Sequence, residues 1–280
     1  GLSLAFFSIE RIIMYICPVC KKALELRNNS FVCENNHCFD IARQGYVNLL
    51  TTVGHNPKNA GDNKNMVTAR TKFLEKDYYK PLALKLSEII GGSHTVIDSG
   101  CGEGYYTTLC AKNNPDTQFF GIDIAKSAIS HAGSVSRSIP NVKFAVASSF
   151  ELPFPSEFAD TVVSVFAPVT NNEYSRVLKS NGSLIVVSPN PKHLFELKSV
   201  LYEKPYLNKS NNYDLTDFSI SESCNVTFTA DIQNNEDIFN LFLMTPYCYK
   251  TSASATEKLR NIPSLSITCD FSVQIFKKNF

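Results

Sequence analysis

The sequence predicts an α/β protein: a mostly parallel sheet covered by helices on both faces, with a small metal-stapled module in front of it. Three observations carry this reading. From residue 94 onward, short β-branched runs alternate with helical stretches. A glycine-rich loop, DSGCGEGY over residues 98–105, joins the first such run to the first such helix. Upstream, residues 17–38 read CPVCKKALELRNNSFVCENNHC, three cysteines and a histidine at metal-ligand spacing, with a further cysteine beside them.

In chain order, the first element is the cysteine module. Cys17 and Cys20 form a CxxC pair, which folds two thiolates onto one ion through a tight turn. Cys33 and His37 supply the second pair about a dozen residues on, a spacing typical of zinc sites. Cys38 competes with His37 as the fourth ligand. Asn28-Asn29-Ser30 reads as a hairpin turn between LEL and FVC. A closed set of four ligands has no open position, so the expected Zn2+ is structural. The module has few large apolar residues, and metal would supply much of its folding free energy. The chain's cysteines total nine, an odd number, and those outside the module are scattered, which argues for reduced, mostly buried thiols.

Ahead of the module, residues 1–13 are apolar but interrupted by Glu10 and Arg11, and too short to span a bilayer. We expect Met14 to be the natural start and residues 1–13 an extension. No long apolar run follows, which points to a cytoplasmic protein away from membranes. Residues 51–65, TTVGHNPKNAGDNKN, read as a polar linker or loop. Residues 66–90 carry helical periodicity, with Pro81 placed to open the second of two helices.

The alternation then runs through TVIDSG, the helix YYTTLCAKN, QFFGIDI, the helix KSAISHAGS, VKFAVASS, ADTVVSVFAP, the helix NEYSRVLKS, SLIVVSP and the helix HLFELKSVLY. CNVTFTA, the helix DIFNLFLM and SITCDFSVQIFKK complete it. The expected organisation is a metal module over 15–50, a linker with helices over 51–90, and the α/β domain over 91–280. The net charge of +1 and the 44% hydrophobic content suit a globular chain with an ordinary core. Charge is unevenly spread, however. Between residues 15 and 72, Lys21, Lys22, Arg27, Arg43, Lys58, Lys64, Arg70 and Lys72 outnumber the acids, which suits either an ordinary solvated face or a phosphate-contacting one.

The glycine loop narrows the chemistry. A dinucleotide fingerprint needs its third glycine at position 105, which is Tyr105, and the Walker spacing is absent. What remains, Asp98-Ser99-Gly100-Cys101-Gly102-Glu103-Gly104, resembles motif I of class I S-adenosylmethionine-dependent methyltransferases. Asp123 ends the next predicted strand, about twenty residues on, where a carboxylate accepts from two ribose hydroxyls. VASSFELPF resembles the adenine-contacting turn, with Ala147 and Ser148 at its start.

CPVC, CENNH, FDIARQGYVNLL, ARTKFLEKDYYKPL, DSGCGEGYYT, GIDIAKSAI, VASSFELPF, PKHLFELK and LMTPY together resemble the bacterial 23S rRNA (guanine-N1)-methyltransferases, the group that contains the tylosin-resistance enzymes. The likeness runs from about residue 15 to the end. It implies a Rossmann-like class I methyltransferase with a seven-stranded sheet, a homodimer, and as substrate a guanine in the helix 35 hairpin of 23S rRNA. It carries Cys17, Cys20, Cys33 and His37 over as zinc ligands. Tyr79, Gly102, Glu103 and His193 would line the S-adenosylmethionine site with Asp98, Gly100, Asp123 and Ser148. Ser99 departs from the family's aliphatic residue, and no tryptophan stands near LMTPY, where Tyr249 would take the surface role.

The module would then be an RNA-recognition arm, with Phe31, Phe39 and Tyr46 offering rings beside Lys21, Lys22 and Arg43; the competing reading makes these rings, Phe39 and Tyr46 above all, the module's own core. Phe166-Ala167-Pro168 ends the fourth strand beside the target base, with Phe166 as a stacking surface. No general base is identified; His193 and Glu103 are candidates. A small-molecule methyltransferase and a non-catalytic zinc-bearing RNA-binding protein are the alternatives.

Overall fold

The computed structural model describes residues 14–51 and 63–279. The expected extension over 1–13 and nearly all of the polar segment 51–65 lie outside the described residues. The chain begins as an antiparallel ribbon of β1 (Leu24–Arg27), β2 (Ser30–Cys33) and β3 (Cys38–Asp40). Asn28 turns the first hairpin at φ 54, a left-handed conformation that asparagine tolerates better than most residues. A turn over residues 42–45 leads to β4 (Tyr46–Asn48). Helix α1 (Lys64–Leu74) starts at Asn63, whose side chain accepts from the amides of Asn65 and Met66. In α2 (Lys80–Ile90), Pro81 occupies the first turn, where an absent N–H leaves nothing unsatisfied.

The alternating region forms β5 (Thr95–Ser99), α3 (Tyr105–Asn113), β6 (Gln118–Asp123), α4 (Lys126–Val135), β7 (Val142–Val146), β8 (Ala159–Val165), α5 (Asn171–Val177), β9 (Leu178–Pro189) and α6 (Phe195–Leu201). Then come β10 (Phe218–Ile232), α7 (Asn235–Leu243), α8 (Ala253–Arg260) and β11 (Leu265–Lys278). The helix expected over NEYSRVLKS stops at Val177, because Leu178 turns extended and opens β9. Helix α8 was not expected, since ASATEKLR is too polar to show an apolar face; the side chain of Ser252 caps it.

The large sheet has the order β10-β11-β9-β8-β5-β6-β7-β4, and β11 alone runs against the others. It therefore holds eight strands and not the expected seven. The additional one is β4, contributed by the segment leaving the ribbon, which pairs parallel with β7 from Tyr46↔Phe144 to Asn48↔Val146. That pairing occupies an edge that would otherwise leave the backbone groups of β7 open.

Side chains alternate between the two faces, as a pleated sheet requires. Val96, Phe119, Phe144, Ile185 and Val187 join the core under α2, α3, α4 and α7. Ile97, Phe120, Ala145, Leu184 and Val186 face the opposite core, under α5 and the ribbon. Tyr15 is fully buried there, its ring 5.3 Å from Phe31 of the ribbon and 5.4 Å from Phe154 of the α/β region. The ribbon thus roofs part of the sheet.

At Gly121, directly across from Phe144, an added methyl would come within 2.3 Å of the Phe144 ring. We expect Gly121→Ala to destabilise the fold by about 1–3 kcal/mol, since the ring must leave its rotamer. Chemical denaturation of the variant beside the native protein measures this.

Candidate active site and metal centre

Strand β5 lies between β6 and β8, the point where the strand order reverses and a crevice opens beyond the strand ends. A cavity of about 860 Å³ fills that crevice, within the usual range for small-molecule sites. All eight residues expected at the cofactor, Tyr79, Asp98, Gly100, Gly102, Glu103, Asp123, Ser148 and His193, line it.

The glycine loop leaves β5 and turns into α3 through three left-handed glycines, Gly100 at φ 81, Gly102 at φ 57 and Gly104 at φ 82. Gly100 has a second reason to lack a side chain: a methyl there would sit 2.4 Å from Cβ of Ala167. Asp123 ties this loop to the next one. Its Oδ2 accepts from the Gly102 amide at 2.9 Å and its Oδ1 from the Ala125 amide at 2.7 Å. A carboxylate has about four acceptor positions, so each oxygen keeps a lone pair for a ligand hydroxyl. Asp98 is buried; its Oδ2 accepts from Thr107, while Oδ1 has no hydrogen-bond partner among the described residues. Burial raises its carboxyl to about pKa 7, against the Thr107 bond that pulls the other way. A cationic ligand would offset that desolvation, so the donor set fits a sulfonium-bearing cofactor. Ser99, the departure from the family pattern, is fully buried and accepts from the Tyr174 hydroxyl at 3.0 Å.

Burial holds the His193 imidazole neutral, its pKa down at about 3. Its Nδ1 accepts from the Asp270 amide at 3.3 Å, so the ring proton resides on Nε2. The one basic lone pair of the neutral His193 ring is therefore already engaged by a backbone amide, which disfavours the general-base role weighed from the sequence. Its ring packs 4.6 Å from Phe271 and 6.1 Å from Tyr79, which fixes its orientation.

At the end of β8, Phe166 takes φ 55, a rare backbone state for a bulky side chain, and stays 46% exposed on the cavity. Phe150, 64% exposed, lies on the same cavity. The sequence reading placed neither Phe150 and Tyr213 nor Met66, Arg70 and the Met244–Tyr247 stretch at the cofactor, although Arg70 stood among the basic residues; all of them line the cavity. Met66 and Arg70 stand four residues apart on α1 and share a face, a signal that spacing alone carried. The opposite correction applies to the ribbon's aromatics. Phe31 and Tyr46 are buried, so these two rings serve packing and not RNA stacking; Phe39 is half-buried. Tyr249 is exposed, its hydroxyl accepting from Asn63 at 2.8 Å.

At the ribbon's tip, donor atoms of Cys17, Cys20, Cys33 and His37 all lie within 4.8 Å of one another. His37 Nδ1 is 3.5 Å from Cys17 Sγ and 3.3 Å from Cys33 Sγ, and the Cys20 and Cys33 sulfurs are 3.6 Å apart. Zinc–sulfur bonds of about 2.3 Å in tetrahedral array demand spacings of this size. Cys38 lies outside the cluster, exposed, with Sγ 3.9 Å from Asp40. The set fits structural Zn2+. The knuckle also touches the segment that follows the cavity wall: the Ile16 amide donates to the Pro153 carbonyl at 2.9 Å, and Lys21 pairs with Glu151. Glu151 follows directly on Ser148–Phe150.

The comparisons agree with this geometry. A family model for the RlmA N-terminal zinc ribbon matches residues 15–55, and a methyltransferase-domain model matches 91–240. The 23S rRNA (guanine(748)-N(1))-methyltransferase of Streptomyces fradiae is 34% identical over 200 residues, 69% of each chain. YxjB of Bacillus subtilis, provisionally named as a 23S rRNA (guanine-N1)-methyltransferase, is 29% identical over 282 residues, covering 95% of this chain and 97% of that one. With a zinc ribbon docked beside a glycine-loop cavity, and with relatives that match both parts, the chain belongs to the 23S rRNA (guanine-N1)-methyltransferase family.

Proposed function

We propose that this chain methylates N1 of a guanine in the helix 35 hairpin of 23S rRNA, with S-adenosylmethionine as donor, and that it works as a cytoplasmic homodimer. The observation that carries the reading is the junction of the two parts: the zinc ribbon packs on the loop that walls the cofactor cavity. Among the described residues, no helix is long and apolar enough to cross a membrane.

In this reading Asp123 receives the ribose hydroxyls, Ser148 borders the adenine, and Asp98 stands beside the cationic end of the cofactor. Tyr79, Gly100, Gly102, Glu103 and His193 complete the wall. When bound, the cofactor supplies an electrophilic methyl group to the ring nitrogen. The chain contributes position. Phe166 and Phe150, exposed on the cavity, offer faces on which an unstacked guanine rests. The ribbon brings Lys22 and Arg27, each more than half exposed, to bear on phosphates; surface pairs with Glu34 and Glu25 are weak enough to yield to them.

Methyl transfer from labelled S-adenosylmethionine to a helix 35 transcript, mapped by reverse-transcription stops, tests the reaction. A stop at one loop guanine is expected, reduced at least about a hundredfold by Asp123→Ala, which loses ligand contacts and the tie to Gly102. Transfer only to a small molecule would overturn the RNA assignment.

Asp98 gives a pH signature. Its carboxyl lies near pKa 7 in the free protein, and a cationic ligand beside it lowers that value. Binding then releases a proton below about pH 7, so affinity rises with pH up to that point and levels off above it. Calorimetry in buffers of different ionisation heat should detect the proton, and Asp98→Asn should abolish it.

Cys33→Ser should remove the bound zinc, withdrawing much of the ribbon's folding free energy, about 10–16 kcal/mol in comparable metal-stapled peptides. Metal analysis should find about one zinc per native chain and none in the variant. Cofactor affinity should fall as well, because the ribbon supports residues 151–153.

A further inference from the structure

The cavity is unbalanced in charge. Three carboxylates line it: Asp98, Glu103 and Asp123. Among the described residues of its lining, Arg70 carries the sole formal cation, since burial keeps His193 neutral. The donor's amino-acid end bears a carboxylate as well as two cationic centres, the ammonium and the sulfonium. The acids suit the cations. A carboxylate inserted among three others would be repelled everywhere but at the arginine.

The glycine loop carries no cationic side chain, and four of its amides are already engaged. The amides of Gly100 and Cys101 both donate to the Ile122 carbonyl, at 2.8 and 3.0 Å. The Gly102 amide donates to Asp123, and the Gly104 amide to the Cys101 carbonyl at 3.1 Å. These four donors are committed within the chain. With these four engaged, a charged partner for an anionic group at the loop is supplied from another element.

Helix α1 supplies one. The guanidinium of Arg70 stands over the loop: a methyl built on Gly102 would lie 3.6 Å from its Nη1. Nη1 is 3.9 Å from Oε2 of buried Glu103, close enough for attraction and too long for a hydrogen bond between those two atoms. Glu103 therefore steers the guanidinium toward the loop. The helix that carries Arg70 is held firmly. Asn63 caps its start, Tyr249 bonds to both Asn63 and Met66, and Lys72 pairs with Glu236 of α7 at 2.9 Å.

We propose that Arg70 binds the carboxylate of the donor's methionine moiety, with Glu103 as the residue that positions it. A planar guanidinium meets a carboxylate through two parallel N–H···O bonds, which a lysine does not reproduce. The inference rests on the S-adenosylmethionine reading above and adds the residue that recognises the amino-acid end.

The test compares two ligands that differ in one group, S-adenosylmethionine and its decarboxylated analogue, by calorimetry on the full, zinc-loaded chain. The native protein should prefer S-adenosylmethionine by about tenfold or more. Arg70→Gln should lose that preference, binding S-adenosylmethionine about tenfold more weakly and the analogue within about twofold of the native value. Arg70→Lys should keep part of the preference, and thermal melting checks that both variants are folded. A variant that weakens both ligands equally, or that keeps the full preference, would overturn the role of Arg70 alone. If the native protein bound neither ligand, the cofactor reading itself would fall.

Discussion

A parallel sheet has two apolar faces, and both must be covered. One face here is served by α2, α3, α4 and α7. The other has the seven-residue α5 and, over β6 and β7, little else but the ribbon. Tyr15 is the pin of that arrangement, fully buried between Phe31 on one side and Phe120 and Phe154 on the other. Because this contact is apolar and enclosed, the ribbon's position is fixed by packing and not only by its connection to the chain. The zinc cluster keeps the ribbon in the shape that Tyr15 and Phe31 need, and the ribbon's exit strand β4 completes the sheet edge.

Much of this was legible in the sequence. The continuous apolar runs of β5 to β9 announced a sheet buried on both sides, and the glycine loop announced where ligands enter. Spacing fixed three donors of the metal cluster and left His37 and Cys38 competing for the fourth place; the structure puts His37 in the cluster and Cys38 outside it. The eighth strand escaped because Tyr46-Val47-Asn48 is too short to display a period; its role is defined by β7, about a hundred residues away. The far wall of the cavity escaped for a similar reason, since Met244–Tyr247 and Tyr213 reach it only through the tertiary fold. Phe31 and Tyr46 looked like candidate RNA contacts beside basic residues, yet burial claims them first.

The site owes its electrostatics to what it excludes. Asp98 is withdrawn from water, and its carboxyl rises toward neutrality. His193 is withdrawn too, and its imidazole falls far below the range in which it would carry charge. The two shifts have one cause and leave a cavity whose strongest fixed charges are Asp123, Glu103 and Arg70. Asp123 clasps the Gly102 and Ala125 amides and lines the cavity with the same carboxylate.

The Ile16–Pro153 hydrogen bond joins residues 137 positions apart. On a ribosome the ribbon emerges well before the surface that will receive it, at a pace of several residues per second. For that interval Tyr15 and Phe31 have no sheet to pack against, and the four metal donors are the ribbon's own means of staying closed. Zinc capture is local, within about twenty residues, whereas docking waits for β6, β7 and the loop beyond. The order of synthesis thus makes the metal the ribbon's first core, to which the sheet, once complete, adds a second.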